Sequence, residues 1–171
     1  KGSSCWVGIN TLIANKLVLL AIEAGYLNNQ LGPISRVRKE VTYGIEQKSR
    51  IDLLLYPGEK NTDIRNIYVE VKNTTWTEGP LALFPDTITK RGQKHLKELI
   101  SVIPESKSVL IPCISRNDVK TFAPGDEADK EYGDLFRLAL RAGVEVIPCC
   151  FGFHKDCITW EGFAEVKERL K

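Results

Sequence analysis

Two apolar segments of the chain carry acidic and basic side chains at spacings that could support chemistry. The first segment, Ile51–Leu55, is apolar except for Asp52. An unpaired buried carboxylate is energetically costly, so Asp52 should face a cation or hydrogen-bond donors. In the second segment, Ile67–Lys72, apolar and polar residues alternate, which places Glu70 and Lys72 on one side of a strand. If the two segments pair as a hairpin, Asp52 comes to lie beside Glu70.

Two carboxylates next to a lysine are typical of a site for a hard divalent cation. Mg²⁺ takes oxygen ligands, usually one or two carboxylates together with waters and phosphate oxygens of the substrate. The expected ligands are Asp52, Glu70 and the backbone carbonyl of Val71. Lys72 would hold a metal-bound water that attacks a phosphodiester. The Glu-x-Lys spacing occurs four times in the chain, so an internal salt bridge between Asp52 and Lys72 stays an open alternative.

A run of basic residues opens the helix that is expected from about Thr89. Lys90 and Arg91 fall in its first turn, where the helix macrodipole disfavours cations, and Lys94 continues the stripe. One interpretation is that these side chains and the free backbone amides of the helix start bind phosphate, with His95 one turn beyond Arg91. The other interpretation is an ordinary basic surface with a structural histidine, and both stay open.

A group of thiol and imidazole side chains near the end of the chain suggests a zinc hypothesis. The group consists of Cys149, Cys150, His154 and Cys157. Consecutive residues of a strand point to opposite faces, and the spacing matches no common zinc finger, so we expect no zinc. The chain has five Cys and no CxxC pair, which favours free thiols in a reducing compartment.

The composition is that of a folded domain. The chain has 171 residues, of which 43% are hydrophobic and 27% charged, enough for one substantial core. Its longest apolar run, Leu17–Ile22, is far shorter than the about 20 residues of a membrane span, and no signal peptide is recognisable. The net charge of +2 is mild, although basic residues concentrate between 36 and 50, where Arg50 lies. A start at Lys1 without any Met suggests a fragment or a processed form.

Hydrophobic periodicity and turn residues predict alternating elements. Helices are expected at 10–24, 89–103, 130–142 and 161–170, and strands near 36–43, 49–56, 66–73, 108–115 and 144–150. Gly and Pro residues predict a long loop over 74–87. A strand meander followed by alternating helices and strands indicates an α/β (α+β) fold with a mixed β-sheet flanked by helices. Residues 1–171 are expected to form a single domain, since no linker or repeat is visible.

Several short segments of the sequence together resemble the sugar fermentation stimulation protein family. The resemblance covers nearly the whole chain, and the stretch from Glu70 to Leu99 is its most specific part. The segments are Trp6–Leu12 with Asn15, Ser49–Leu54, Val69–Thr75, Leu83–Thr87, Arg91–Leu99, Phe122–Pro124 and Gly143–Val146.

This resemblance implies a restriction-endonuclease-like PD-(D/E)XK core, with Asp52, Glu70 and Lys72 at its catalytic positions and Mg²⁺ or Mn²⁺ as the cofactor. Family members are described as DNA-binding proteins that influence sugar-utilisation genes. They also carry an N-terminal OB-like domain, which would precede Trp6 and is absent from this chain. Arg116 follows an expected strand in a polar turn and would add a phosphate contact.

Three functions therefore remain to be compared. The first is a DNA-binding protein with a nuclease-like domain that regulates sugar metabolism, located with the nucleoid in the cytoplasm, or in a plastid if the source is a photosynthetic eukaryote. The alternative is an active Mg²⁺- or Mn²⁺-dependent nuclease. The third is an interaction or sensing module whose polar cluster is only structural. The expected nucleic-acid contacts are Lys90, Arg91, Lys94, His95, Arg116 and Arg50. No membrane partner is expected, and the oligomeric state is open.

Overall fold

Four helices and eleven strands make up residues 11–44 and 49–168, the part of the chain that this computed structural model describes. The helices are α1 (Thr11–Glu23), α2 (Asn28–Leu31), α3 (Lys90–Ser101) and α4 (Lys130–Ala142). The strands are β1 (Ile34–Tyr43), β2 (Ser49–Pro57), β3 (Ile67–Thr74), β4 (Trp76–Glu78), β5 (Leu81–Phe84), β6 (Lys107–Ile114), β7 (Thr121–Pro124), β8 (Glu145–Val146), β9 (Cys149–Phe153), β10 (Ile158–Phe163) and β11 (Glu165–Val166).

A seven-stranded mixed sheet forms the centre of the fold. Its strand order is β1-β2-β3-β6-β9-β10, and β8 pairs with β6 beside this path. The first three strands are antiparallel, β3 and β6 are parallel, and β9 and β10 are antiparallel. A second sheet has the order β11-β7-β5-β4. The expected mixed sheet with helices, and the expected hairpin between β2 and β3, are confirmed.

Each face of the large sheet packs into its own hydrophobic cluster. Alternate residues of β3, such as Val69 and Val71, join Val18 and Ile22 of α1 in one cluster, which we call the α1 face. The second cluster, which we call the α3–α4 cluster, joins the opposite face of the sheet to α3, α4 and the small sheet and includes the fully buried Phe136. The strand β3 therefore sends its apolar side chains towards α1 and its polar ones towards α3.

In the hairpin of β1 and β2, the alternation of side chains between the two faces of the sheet is interrupted at Glu40 and Asp52. The ladder pairs Lys39 with Leu53 and Val41 with Ile51, so Glu40 and Asp52 lie between these two pairs. Ile51 packs in the α3–α4 cluster and Leu53 on the α1 face, although a regular strand would put both on one face. Glu40 has a φ of 50°, a left-handed value that is uncommon for a residue with a side chain. The backbone is thus distorted at the level of Asp52.

The predicted long loop over 74–87 is wrong, because β4 and β5 lie within it. They pair antiparallel around Gly79, with Trp76 opposite Leu83. β5 is also paired in parallel with β7, whose residues come forty positions later. A pairing partner that distant leaves no local signal, and the Gly and Pro residues by themselves indicate only a loop.

The predicted helix over 161–170 is also wrong. The end of β10 and the whole of β11 lie there. The described part of the chain ends at residue 168, so residues 169–170 of the predicted helix lie outside it. Gly162 has a φ of 94°, which a right-handed helix does not allow. The predicted strand at 144–150 is divided into β8 and β9 on either side of Pro148. None of the helices between residues 11 and 168, outside the gap at 45–48, is long and apolar enough to cross a membrane.

Candidate functional site

Glu70, Lys72 and His95 form a buried polar triad between β3 and α3. Glu70 is only 2% exposed, and its Oε1 lies 2.7 Å from Nζ of Lys72. The same Oε1 contacts Nδ1 of His95, which is 3.0 Å from Nζ of Lys72. The alternation of β3 brings Glu70 and Lys72 to this face, and α3 supplies the imidazole. Glu70 and Lys72 therefore share one side of the strand, as predicted.

Asp52 is held from two directions by hydrogen bonds. Its Oδ2 accepts the backbone N–H of Val71 at 2.8 Å, and its Oδ1 accepts Nδ2 of Asn15 at 2.8 Å. On the β2 side, the backbone pairing with β3 includes only Leu53 to Leu55. The Asp52 carboxylate lies just beyond this pairing and accepts the Val71 N–H in place of a backbone carbonyl of β2. The N–H and C=O of one residue point to the same side of a strand, so the carbonyl of Val71 also faces β2.

The two carboxyl groups experience opposite electrostatic conditions. Burial and the negative charge of Glu70 raise the pKa of Asp52, against the opposing effect of the Val71 amide, Asn15 and Lys72. Burial alone would raise the pKa of Glu70, but the contacts with His95 and Lys72 outweigh it and hold this pKa below its usual value. Negative charge at Asp52 is therefore not fully compensated by the neighbouring side chains.

Four buried oxygen atoms around the triad have no hydrogen-bond partner among the described residues. They are Oε2 of Glu70, Oε2 of Glu98 and the hydroxyls of Tyr43 and Tyr132. Burial and then the charges of Glu70, Glu98 and Asp52 raise the pKa of Tyr43, so its hydroxyl stays neutral. Buried polar atoms normally have a partner, so these oxygens are available to water or to a bound cation.

A divalent cation fits the chemistry of these donors. No group of three His, Cys, Asp or Glu side chains within the described ranges is arranged to hold a metal. The candidate site instead offers two carboxylates and a backbone carbonyl, and Mg²⁺ is commonly bound by so few protein oxygens. The alternative salt bridge between Asp52 and Lys72 is not formed, because Lys72 pairs with Glu70.

The expected nucleic-acid contacts are placed in different surroundings. Four of them make ion pairs with acidic neighbours: Lys90 with Glu131 at 2.9 Å, Lys94 with Glu98 at 3.6 Å, Arg116 with Asp118 at 2.5 Å and Arg50 with Glu40 at 3.7 Å. Arg91 is exposed and makes no ion pair with any described residue. His95 lies in the buried triad and not on the basic surface.

The cysteine and histidine group is spread over both faces of the large sheet. Cys149 packs on the α1 face and Cys150 in the α3–α4 cluster, as the alternation of a strand predicts. Nε2 of His154 contacts Oγ1 of Thr159 at 3.0 Å, and Cys157 is exposed. This arrangement does not bring the four side chains to one point.

Asn15, Tyr43 and Glu98 also belong to the site, and their place in it is not predicted from the sequence. Asn15 lies in a segment that resembles the family, and its side chain reaches Asp52. Glu98 stands three positions after His95 on α3, and this helical spacing was a signal that both side chains share a face. No local signal pointed to Tyr43 at the end of β1.

The comparisons with known proteins agree over nearly the whole chain. The family model described as "Sugar fermentation stimulation protein RE domain" matches residues 12–157. Sugar fermentation stimulation protein homologs are 68% identical in Prochlorococcus marinus (strain MIT 9303) and 61% in Synechococcus sp. (strain CC9902), each over 98% of this chain. The chain spans 64% and 67% of these relatives' lengths.

A solved structure, described as Pyrococcus furiosus SfsA in complex with Ca²⁺, is similar with a TM-score of 0.81. The two sequences are 28% identical, and the similarity covers 93% of this chain and 66% of the other. The residues matched by the family model include the strands that carry Asp52 and Glu70. This chain belongs to the sugar fermentation stimulation protein family.

Proposed function

We propose that this chain is a nucleic-acid-binding domain that hydrolyses phosphodiester bonds with Mg²⁺ or Mn²⁺ at Asp52 and Glu70. The observation that carries this proposal is the Oε2 of Glu70, which is buried without a hydrogen-bond partner among the described residues, while the charge of Glu70 reaches Asp52 on the paired strand. A carboxylate pair with an unused oxygen suits a divalent cation better than a purely structural ion pair, in which both oxygens would be satisfied.

Each side chain has a distinct part in this proposal. Asp52, Glu70 and the carbonyl of Val71 would hold the cation, which supplies an activated water and stabilises charge on the phosphate. Asn15 orients Asp52 through its hydrogen bond of 2.8 Å. Lys72 places its ammonium beside Glu70 and would orient the attacking water or stabilise the developing negative charge.

The solved relative supports this assignment. The Pyrococcus furiosus protein was described in complex with Ca²⁺, a cation that prefers oxygen ligands as Mg²⁺ does. We extend divalent-cation binding from that protein to this chain because the two share the fold and because this chain has oxygen donors at the candidate site.

DNA binding without hydrolysis is the second candidate. It is favoured by the exposed Arg91 in the first turn of α3, near Lys90. A role in regulating sugar metabolism belongs to this candidate, and it is suggested by the family description alone. Exposed ion pairs contribute little, so phosphate could replace the acidic partner of Lys90.

Thermal unfolding with and without cations tests the metal site. A cation bound only to the folded state raises Tm, with about 2.7 kcal/mol of stabilisation at roughly 100 times Kd. We expect Mg²⁺ and Mn²⁺ to raise the Tm of the wild type, and expect Glu70→Gln to remove this increase. A wild-type Tm that no divalent cation changes would leave the polar cluster as a structural feature.

Lys72→Ala tests hydrolysis, with Lys97→Ala as the matched control. We expect Lys72→Ala to lower the cleavage rate of labelled DNA or RNA by at least about 10²-fold. Lys97 is an exposed lysine of α3 whose nearest acidic partner, Glu131, is 3.9 Å away, so its loss should leave the rate unchanged. If the wild type binds cations but cleaves neither nucleic acid with either metal, binding without hydrolysis is the better description.

A further inference from the structure

A cleft of about 650 Å³ lies between α1 and the β1–β2 hairpin and reaches the candidate metal site. Asp52 and Asn15 line one end of it, and Glu23 lines the other. The eight positions from Asn15 to Glu23 correspond to about 12 Å along a helix. Ligand sites typically have volumes of about 300–1,000 Å³, so this cleft is large enough for a nucleotide.

The walls of the cleft are mainly apolar. Leu19 and Leu53 are buried at its base, whereas Leu20 is 48% exposed beside it. An exposed leucine next to a buried apolar floor offers a contact surface for a flat, weakly polar group. A nucleobase has these properties, and apolar contact with a base does not depend on its hydrogen-bonding edge.

Two lysines stand at the rim of this apolar surface. Lys16 of α1 and Lys39 of β1 line the cleft, and neither makes an ion pair with another described residue. Glu40 also lines it but is paired with Arg50 at 3.7 Å, and Glu23 at the far end makes no ion pair with any residue that the structure describes. With a cation at Asp52, the end of the cleft nearest the site would favour an anion.

We propose that this cleft binds an unpaired nucleotide of a nucleic-acid strand, next to the bond that the candidate site would cleave. The proposal rests on the function proposed above and adds its substrate class, which is single-stranded or frayed nucleic acid. A base inside a duplex is stacked and paired, so it cannot enter a cleft between a helix and a hairpin without leaving its stack. The lysines suit the flanking phosphates, and the leucines suit the base.

Binding of a labelled oligothymidylate of ~10 nucleotides tests this proposal. Fluorescence anisotropy is measured with Mg²⁺ for the wild type and for Leu20→Glu, and the oligonucleotide is checked for cleavage afterwards. We expect Leu20→Glu to weaken binding about tenfold, since it places a negative charge where the base would lie. Lys39→Gln should weaken binding as well, by a smaller factor.

The matched control is Leu138→Glu, since Leu138 of α4 is 46% exposed and lies outside the cleft. We expect this variant to bind as the wild type does, and a blunt duplex to compete poorly. Equal affinities of the Leu20→Glu and Leu138→Glu variants, or equal competition by duplex, would overturn the proposal.

The increase in Tm with Mn²⁺ separates this proposal from the proposed function. Leu20→Glu should keep that increase, because Leu20 is not a donor to the cation. If the increase is present and Leu20→Glu binds the oligonucleotide normally, only the cleft proposal fails. If the wild type shows no increase with any divalent cation, the proposed function fails and the cleft proposal with it.

Discussion

At the level of single residues, the candidate site combines one carboxylate that the fold stabilises with one that it does not. Contacts with His95 and Lys72 favour the charged form of Glu70. Burial and the charge of Glu70 disfavour the charged form of Asp52, whose pKa is raised. A raised pKa means that the ionised group is less stable in the folded protein than in the unfolded chain. Without a cation, ionised Asp52 therefore lowers the stability of the fold.

Asp52→Asn should consequently raise the Tm of the metal-free protein at pH 7. The substitution removes the uncompensated charge, while the amide oxygen still accepts the N–H of Val71 and Asn15 can turn its own amide to match. For a chain of this size, each kcal/mol changes Tm by about 2–4 °C. Thermal unfolding in EDTA measures the change, and the same variant should show no increase of Tm with Mg²⁺ or Mn²⁺.

The stability gained through Asp52→Asn should depend on pH. The advantage of Asp52→Asn is largest at neutral pH and disappears as the pH falls through the raised pKa of Asp52, where the wild type becomes protonated. Glu70 has the opposite effect, because its pKa is lower in the folded protein than in the unfolded chain. Its ionised form stabilises the fold at pH values above the ordinary pKa of a glutamate, and this stabilisation is lost as the pH falls through the lowered pKa. An Asp52→Asn variant that is less stable than the wild type at pH 7 would contradict the argument.

The sequence was sufficient to predict that Glu70 and Lys72 share one side of β3 and that β3 pairs with the strand that carries Asp52, because strand alternation and one hairpin determine both. It was insufficient for Asn15, which reaches Asp52 across 37 positions of the chain. Tyr43 has the same difficulty, since it lies on β1, far along the chain from Glu70 and Glu98, whose charges reach it only in the folded protein. Contacts between distant elements have no local pattern from which they could be read.

At the level of elements, Asp129 connects the starts of α3 and α4. Its side chain accepts the N–H of Tyr132 at 3.0 Å, which caps α4. It also accepts the N–H of Thr89 and Nε2 of Gln93, each at 2.9 Å. The residue is only 4% exposed, so these donors would have no water to replace it. One buried carboxylate thus fixes the relative position of the two helices.

Asp129→Ala should destabilise the protein by roughly 2–4 kcal/mol, through the lost helix cap and the buried donors left without an acceptor. Chemical denaturation measures the loss. Asp134→Ala is the control, because Asp134 forms exposed ion pairs with Lys130 and Arg137 that should contribute less than about 1 kcal/mol. The result would argue against this role if both variants lost the same stability.

Elements with strong periodicity were predicted with nearly correct ends, as α3 and α4 show. The errors lie where pairing with a distant strand decides the structure. β5 and β11 both pair with β7, and neither segment has an alternating pattern long enough to indicate a strand. The helix expected over 161–170 is replaced by strands, because Gly162 has a positive φ, Phe163 pairs with β9 and Val166 pairs with β7.

At the level of the whole molecule, charge is balanced locally and not separated into large regions. The net charge is only +2, and most basic residues near α3 have acidic partners. Arg91 is an exception among the expected contacts, since it is exposed without a described ion pair. A phosphate backbone would therefore meet Arg91 at no cost of breaking an ion pair.

Arg91→Ala should weaken nucleic-acid binding equally for all sequences. Loss of one phosphate contact should reduce the slope of log K against log salt by about 0.9 for duplex DNA or about 0.7 for a single strand. A titration at several salt concentrations measures this slope. Arg141→Ala removes an exposed arginine at the end of α4 and should leave the slope unchanged; equal slopes for the two variants would exclude Arg91 from the interface.

The distribution of the site over the chain has a consequence for biosynthesis. Asn15, Asp52, Glu70 and His95 come from four different elements, and β3 is aligned in parallel with β6, which follows α3. Such pairings form late in folding, because the entropy of closing long loops must first be overcome. A nascent chain that ends before β6 therefore lacks the assembled candidate site, and the proposed chemistry would begin only after β6 has paired with β3.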